Sequence, residues 1–186
     1  AFVKDLRKTV TIPLVFKTYA NVVFSYGAER FFAACGEAGV DGIVLPDLPF
    51  EEKEEFLDIS RKYGVELISM IAPAKAERIA KIASEAEGFV YVVPGHEKQT
   101  ACGGACKGNG GSVIRDLSAI TEIIRQNTDV PCAIFCESGD KDQLIEAAGV
   151  SDGVIVEETV VSLLAEYGKD APAHVREYVR SLKEVL

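Results

Sequence analysis

Short runs of consecutive apolar residues alternate along this chain with longer segments whose apolar positions recur every three or four residues. The runs are Ile12–Phe16, Ile43–Leu45, Glu66–Ile71, Gly88–Val93, Pro131–Cys136 and Gly153–Val156. Apolarity without a period of two predicts strands that are covered on both faces. The periodic segments predict helices over Ala28–Ala38, Phe50–Tyr63, Ala76–Glu85, Val113–Asn127, Asp140–Ala148, Thr159–Glu166 and Pro172–Leu186. Phe2–Lys8 reads as the last turns of another. In the first of these Phe31, Phe32, Ala34 and Cys35 fall on one side; in the third Ile79, Ile82 and Ala83 do.

The stretch Ala38–Pro49 holds the pattern in miniature. Gly39 supplies the left-handed residue that stops a helix, Ile43, Val44 and Leu45 form the strand, and Pro46 and Pro49 close it with Asp47 between them. Asp47 is either a site carboxylate at a strand end or a cap for the helix that starts near Phe50. Six strands alternating with helices imply parallel pairing and right-handed crossovers. An open doubly wound sheet and part of a (β/α)8 TIM barrel both fit. No G-x-G-x-x-G follows the first strand, so a dinucleotide fold lacks its motif. Tyr19, Asn21, Asp47, Tyr91 and a glycine-rich loop all follow strands, the end at which barrels place their chemistry. For Tyr19 and Tyr91 the alternative is aromatic packing at the barrel mouth.

A length of 186 residues suits one domain, here 1–186, and 48 % hydrophobic residues supply a core. The formal charge of −9 argues against nucleic acid. No stretch reads as a membrane span or a signal peptide. An odd count of five cysteines points to reduced thiols and a cytoplasmic setting. Cys132 and Cys136, four apart on a strand, are expected in the barrel wall. The chain opens in mid-helix without an initiator Met, which predicts a truncated or processed form. Residues 94–112 form the glycine-rich loop. His96, Cys102 and Cys106 lie within it, but C-x3-C is unlike zinc ribbons and no fourth ligand is evident. No metal is expected there; a flexible lid or linker is.

Several runs together resemble the tryptophan synthase α-subunit family. They are Pro13–Gly27, the A-G-V-D-G-I-x-x-P-D-L-P-x-E-E run at Ala38–Glu52, the strand at Gly88–Val93 and the strand at Ser151–Val156. The resemblance implies a (β/α)8 barrel and cleavage of indole-3-glycerol phosphate to indole and glyceraldehyde 3-phosphate. It implies no cofactor in this subunit, and a β-subunit partner that uses pyridoxal phosphate. It also implies that Tyr19, Asn21, Asp47, Ile71 and Tyr91 belong to the substrate pocket, Asp47 near the contact with the β-subunit.

The chain departs from that family at its functional turns. The family's catalytic Glu and Asp precede the segment at which this chain starts, so no catalytic residue is carried over. The G-F-G-I-S after strand seven is replaced by Phe135–Gly139, which contains Glu137, and the G-S after strand eight by Glu157 and Glu158. Small residues there let backbone N–H groups meet a phosphate at a helix N-terminus. At about 4 Å and an effective dielectric near 20, each like-charge contact opposes a phosphate by roughly 4 kcal/mol before screening. The expectation is a lyase by descent with weak or absent activity. The alternative is a non-catalytic, truncated or redesigned barrel scaffold; two missing strands leave open edges, which favour a homo-oligomer.

Overall fold

The computed structural model describes residues 2–94, 116–136 and 141–184. Its helices are α1 (Phe2–Leu6), α2 (Ala20–Tyr26), α3 (Ala28–Ala38), α4 (Glu54–Lys62), α5 (Ala76–Ser84), α6 (Leu117–Asn127), α7 (Lys141–Val150), α8 (Glu158–Tyr167) and α9 (Ala171–Lys183). Its strands are β1 (Val15–Lys17), β2 (Gly42–Val44), β3 (Glu66–Leu67), β4 (Ser69–Ile71), β5 (Val90–Val92), β6 (Cys132–Cys136) and β7 (Gly153–Val156). They form two sheets, ordered β1-β2-β3 and β4-β5-β6-β7. β1 pairs with β2, β2 with β3 and β6 with β7, all in parallel. The chain divides into two compact units, Ala1–Met70 with Glu85–Val90 and Ile71–Ser84 with Tyr91–Leu186.

Several predicted bounds shift by a few residues, the first strand from 12–16 to Val15–Lys17 among them, and two elements differ in kind. The strand predicted at 66–71 is two segments, which turns six strands into seven among the described residues. The Glu66 and Ile68 N–H groups donate to the Asp41 and Ile43 carbonyls, at 2.9 Å each, and so belong to β2's ladder. Residues 69–71 instead join the sheet of β5. The helix predicted over 50–63 begins as a 3-10 turn at Phe50–Glu52 and becomes α4 only at Glu54. Pro49 and Lys53, at the two starts, give no side-chain cap to either. By contrast α3 and β7 occupy the ranges that their sequences predict.

The core of the first unit is built from Val23, Phe32, Val40, Ile43, Leu45, Phe56, Val65 and Leu67. Phe32 and Phe56 are fully buried, with ring centroids 6.2 Å apart. Gly39 ends α3 in the left-handed conformation, φ 77°. Gly36, within α3, lets the helix approach the Tyr63 carbonyl; a Cβ there would lie 2.5 Å from that oxygen. In the second unit Ile79 and Ile82 of α5 and Ile120 and Ile124 of α6 are buried, with Ile134 of β6 and Leu144 of α7.

Each unit carries the same clamp at the entrance to its strands. In the first, the Leu14 N–H donates to Asp41 Oδ2 at 2.7 Å, while the Asp41 N–H donates to the Leu14 carbonyl at 2.9 Å. Arg7 Nη2 holds the same carboxylate, and its other nitrogens donate to the Gly39, Val10 and Ile12 carbonyls. In the second, the Cys132 N–H donates to Asp152 Oδ2 at 2.8 Å, the Asp152 N–H donates to the Cys132 carbonyl at 2.9 Å, and Arg125 lies 3.5 Å from Asp152 Oδ1. The aspartates stand in related turns, Ala38-Gly-Val-Asp-Gly-Ile-Val44 and Ala148-Gly-Val-Ser-Asp-Gly-Val-Ile-Val156. Each fixes the register of the strand before its own.

Candidate functional site

The residues singled out in the sequence fall into two groups, one in each unit. In the first unit, β1 leads through Thr18 to Tyr19, the residue that precedes α2. Tyr19 is 60 % exposed and its side chain makes no capping hydrogen bond. Asn21, in the first turn of α2, is exposed, and its carbonyl accepts from Ser25 Oγ at 2.7 Å. The segment 20–26 is uncharged, Ala-Asn-Val-Val-Phe-Ser-Tyr, and packs through Ala20 and the fully buried Val23. Its cap comes from another loop: Asp47 Oδ1 accepts from the Ala20 N–H at 2.8 Å. Asp47 therefore caps a helix, but α2 rather than the one near Phe50. A carboxylate at that end is favoured by the helix dipole as well as by the hydrogen bond.

In the second unit, Tyr91 lies at the middle of β5 and is buried, with 3 % of its surface exposed. Its hydroxyl donates to Glu157 Oε1 at 3.2 Å, and its ring stacks on Phe135 of β6, centroids 6.0 Å apart and planes 25° from parallel. Burial raises the phenol's pKa far above its ordinary value, and the charge and hydrogen bond of Glu157 raise it further. Tyr91 is thus held as a proton donor to a carboxylate. Ile71 ends β4 fully buried, and its carbonyl accepts from the Val93 N–H at 2.8 Å, just past β5.

Glu157 is the residue before α8 and Glu158 its first residue. Glu157 does not cap its own helix through its side chain; its carboxylate accepts the hydrogen bond from Tyr91 instead. Glu158 is exposed in the first turn. Glu137, grouped with these two by sequence, lies outside the described residues, as does the loop from 95 to 115 with His96, Cys102 and Cys106. Among the described residues no three His, Cys, Asp or Glu side chains gather as metal ligands. Cys132 and Cys136 are both buried free thiols whose pKa values burial pushes up. No described helix is long and apolar enough to cross a membrane.

Sequence reasoning missed Asp41, Arg7, Asp152 and Arg125. The signal for the aspartates was the near-repeat of the turn before β2 and β7. Nothing local marks the arginines, which stand 34 and 27 residues from their carboxylates.

Against known proteins, the family model described as tryptophan synthase alpha chain matches residues 1–185. The tryptophan synthase alpha chain of Lacticaseibacillus casei is 36 % identical over 181 residues, covering 97 % of this chain and 65 % of that one. That of Lactiplantibacillus plantarum is 37 % identical over 182 residues, covering 97 % and 66 %. Among solved structures, the tryptophan synthase complex of Pyrococcus furiosus aligns with a TM-score of 0.80 at 25 % identity, covering 98 % of this chain and 70 % of that one. An Aquifex aeolicus VF5 protein aligns with a TM-score of 0.81 at 28 % identity, covering 99 % and 66 %. The chain spans about two thirds of the length of the curated relatives it matches.

Proposed function

Because this chain belongs to the tryptophan synthase alpha chain family, with the α/β, TIM-barrel-derived fold of that family, we propose that it is a lyase of that type by descent whose own activity is weak or absent. The reaction is a retro-aldol cleavage of indole-3-glycerol phosphate. The bond between indole C3 and the glycerol chain breaks, a proton is delivered to C3, and the neighbouring hydroxyl loses its proton as the aldehyde of glyceraldehyde 3-phosphate forms. The step needs an acid, a base and an anchor for the phosphate. In this reading Tyr19, Asn21, Asp47, Ile71 and Tyr91 are pocket residues, and Glu137, Glu157 and Glu158 stand in the altered phosphate turns.

One observation carries the weakness of the activity: the Glu157 carboxylate sits at the start of α8 and accepts the hydrogen bond of the buried Tyr91 phenol. A dianion brought beside it meets a fixed negative charge. Tyr91, held protonated, does not serve as a base. The expected result is indole release from indole-3-glycerol phosphate at the buffer rate, and no binding of glycerol phosphate by calorimetry. Replacing Glu157→Gly together with Glu158→Ser is expected to bring glycerol phosphate binding into the measurable range. Rapid turnover by the unaltered chain would overturn the reading. A cytoplasmic setting, reduced thiols and docking of a β-subunit belong to the same proposal.

A second reading, a scaffold that self-associates, is favoured by α8. Thr159–Ala165 carries no charge in a chain of net −9, yet α8 buries none of its side chains, and Val161 and Leu164 are 62 % and 50 % exposed. A helix this apolar is ordinarily covered. Light scattering is expected to show a concentration-dependent dimer that Leu164→Glu abolishes. A monomer at all concentrations would remove this second reading.

A further inference from the structure

We propose that Asp41 and Asp47, one on each side of β2, are positioning residues that pin the edge strand β1 at both ends and so hold Tyr19 and Asn21 at the start of α2. β1 has three residues and, among the described residues, one neighbouring strand, with Val15, Phe16 and Lys17 opposite Gly42, Ile43 and Val44. A strand so short is weakly held by its ladder alone. Val15 is 39 % exposed and Lys17 is exposed, so only the part-buried Phe16 of β1 packs against the core.

Both ends are reinforced by a carboxylate. One residue before β1, the Leu14 N–H donates to Asp41 Oδ2 at 2.7 Å, and the Arg7 guanidinium holds that carboxylate in place. Arg7 also donates to the Ile12 carbonyl at 2.7 Å and the Gly39 carbonyl at 2.6 Å, which ties the lead-in of β1 to the end of α3. Beyond β1 the Thr18 N–H donates to the Val44 carbonyl at 3.1 Å, and the Ala20 N–H donates to Asp47 Oδ1 at 2.8 Å. The residue that would ordinarily cap α2 is Tyr19, whose side chain makes no such bond. Asp47 fills that role from the far loop and leaves the Tyr19 ring unconstrained by capping. The two aspartates flank β2, which is buried at all three residues.

The pinning stands on the geometry; its bearing on function rests on the reading of Tyr19 and Asn21 as pocket residues. The test therefore uses no substrate. In the full chain, amide hydrogen exchange is followed by NMR together with a fluorotyrosine label at position 19. Asp47→Ala is expected to speed exchange at Ala20 and Val22 about tenfold and to move the label's resonance, while Ile68, bonded to the Ile43 carbonyl, is unchanged. Asp47→Asn, which keeps an acceptor oxygen, is expected to restore both signals. Arg7→Lys keeps the charge but loses the fork, and is expected to speed exchange at Leu14 and Thr18. Asp47→Ser, too short to reach Ala20, replaces the alanine variant if that one fails to fold. Unchanged exchange at Ala20, an equal rise at Ile68, or a label that does not respond would overturn the proposal. Loss of the lyase reading would leave these results standing, and their failure would leave that reading intact.

Discussion

At the scale of single residues, two positions set measurable limits. Gly36 has no room for a methyl group, because the Tyr63 carbonyl would lie 2.5 Å from it and that oxygen is backbone. Gly36→Ala is expected to lower stability by about 1–3 kcal/mol, read as a lower urea midpoint at constant slope. Tyr91 gives a pH signature. Its folded pKa is raised above the unfolded value by burial and by Glu157, so its contribution to stability is complete below the ordinary tyrosine pKa. That contribution is lost as pH rises from there through the folded value. Tyr167 is raised as well, through its hydrogen bond to Glu166, but it is an exposed residue. Ultraviolet titration of the folded chain is expected to show a late-ionising phenol that Tyr91→Phe removes. These residue-level facts were half legible. Tyr91 stood out as a polar residue within an apolar run, and Glu157 as a charge in a turn that the family keeps small. Their hydrogen bond spans 66 positions of sequence, which no local pattern encodes.

At the scale of elements, the paired clamps carry the main expectation. Asp152 accepts from the Cys132 N–H, which lowers its pKa, with Arg125 lowering it further and partial burial opposing both. A depressed carboxylate adds stability above its unfolded pKa and loses it as pH falls through the folded one. Asp152→Ala is expected to cost about 1–3 kcal/mol by leaving the Cys132 N–H without its partner, and to flatten the acid limb of the stability profile. An unaltered acid limb in that variant would contradict the assignment. Strands and long helices were legible because their hydrophobic spacing is strong: α3 and β7 match their predicted ranges to the residue. α2 was not, because Val22, Val23 and Phe24 favour strands and its cap arrives from Asp47 in another loop. The break at Ile68 was hidden for a similar reason. An apolar run of six says that both faces are covered, but not that its two halves pair with different neighbours.

At the scale of the whole molecule, charge and composition constrained more than they identified. A net charge of −9 turns away polyanions, and Glu157 and Glu158 add to it at the start of α8. The family emerged from runs of sequence agreeing together, as did the expectation of a shortened chain, and the chain spans about two thirds of its relatives' length. What the fold adds is a duplicated lock with unequal spacing, since Ser151 stands between Val150 and Asp152 where the first copy has no residue between Val40 and Asp41. The Ser151 hydroxyl donates to the Ala147 carbonyl at 2.7 Å and is 2.8 Å from that of Gly153, which seats the extra residue in the turn. A refolding chain meets two look-alike keyholes, and that lone serine is what makes them different shapes. With Ser151 deleted the keys become interchangeable, and refolding from urea is expected to split into a fast phase and a slow one in which wrongly threaded molecules come apart.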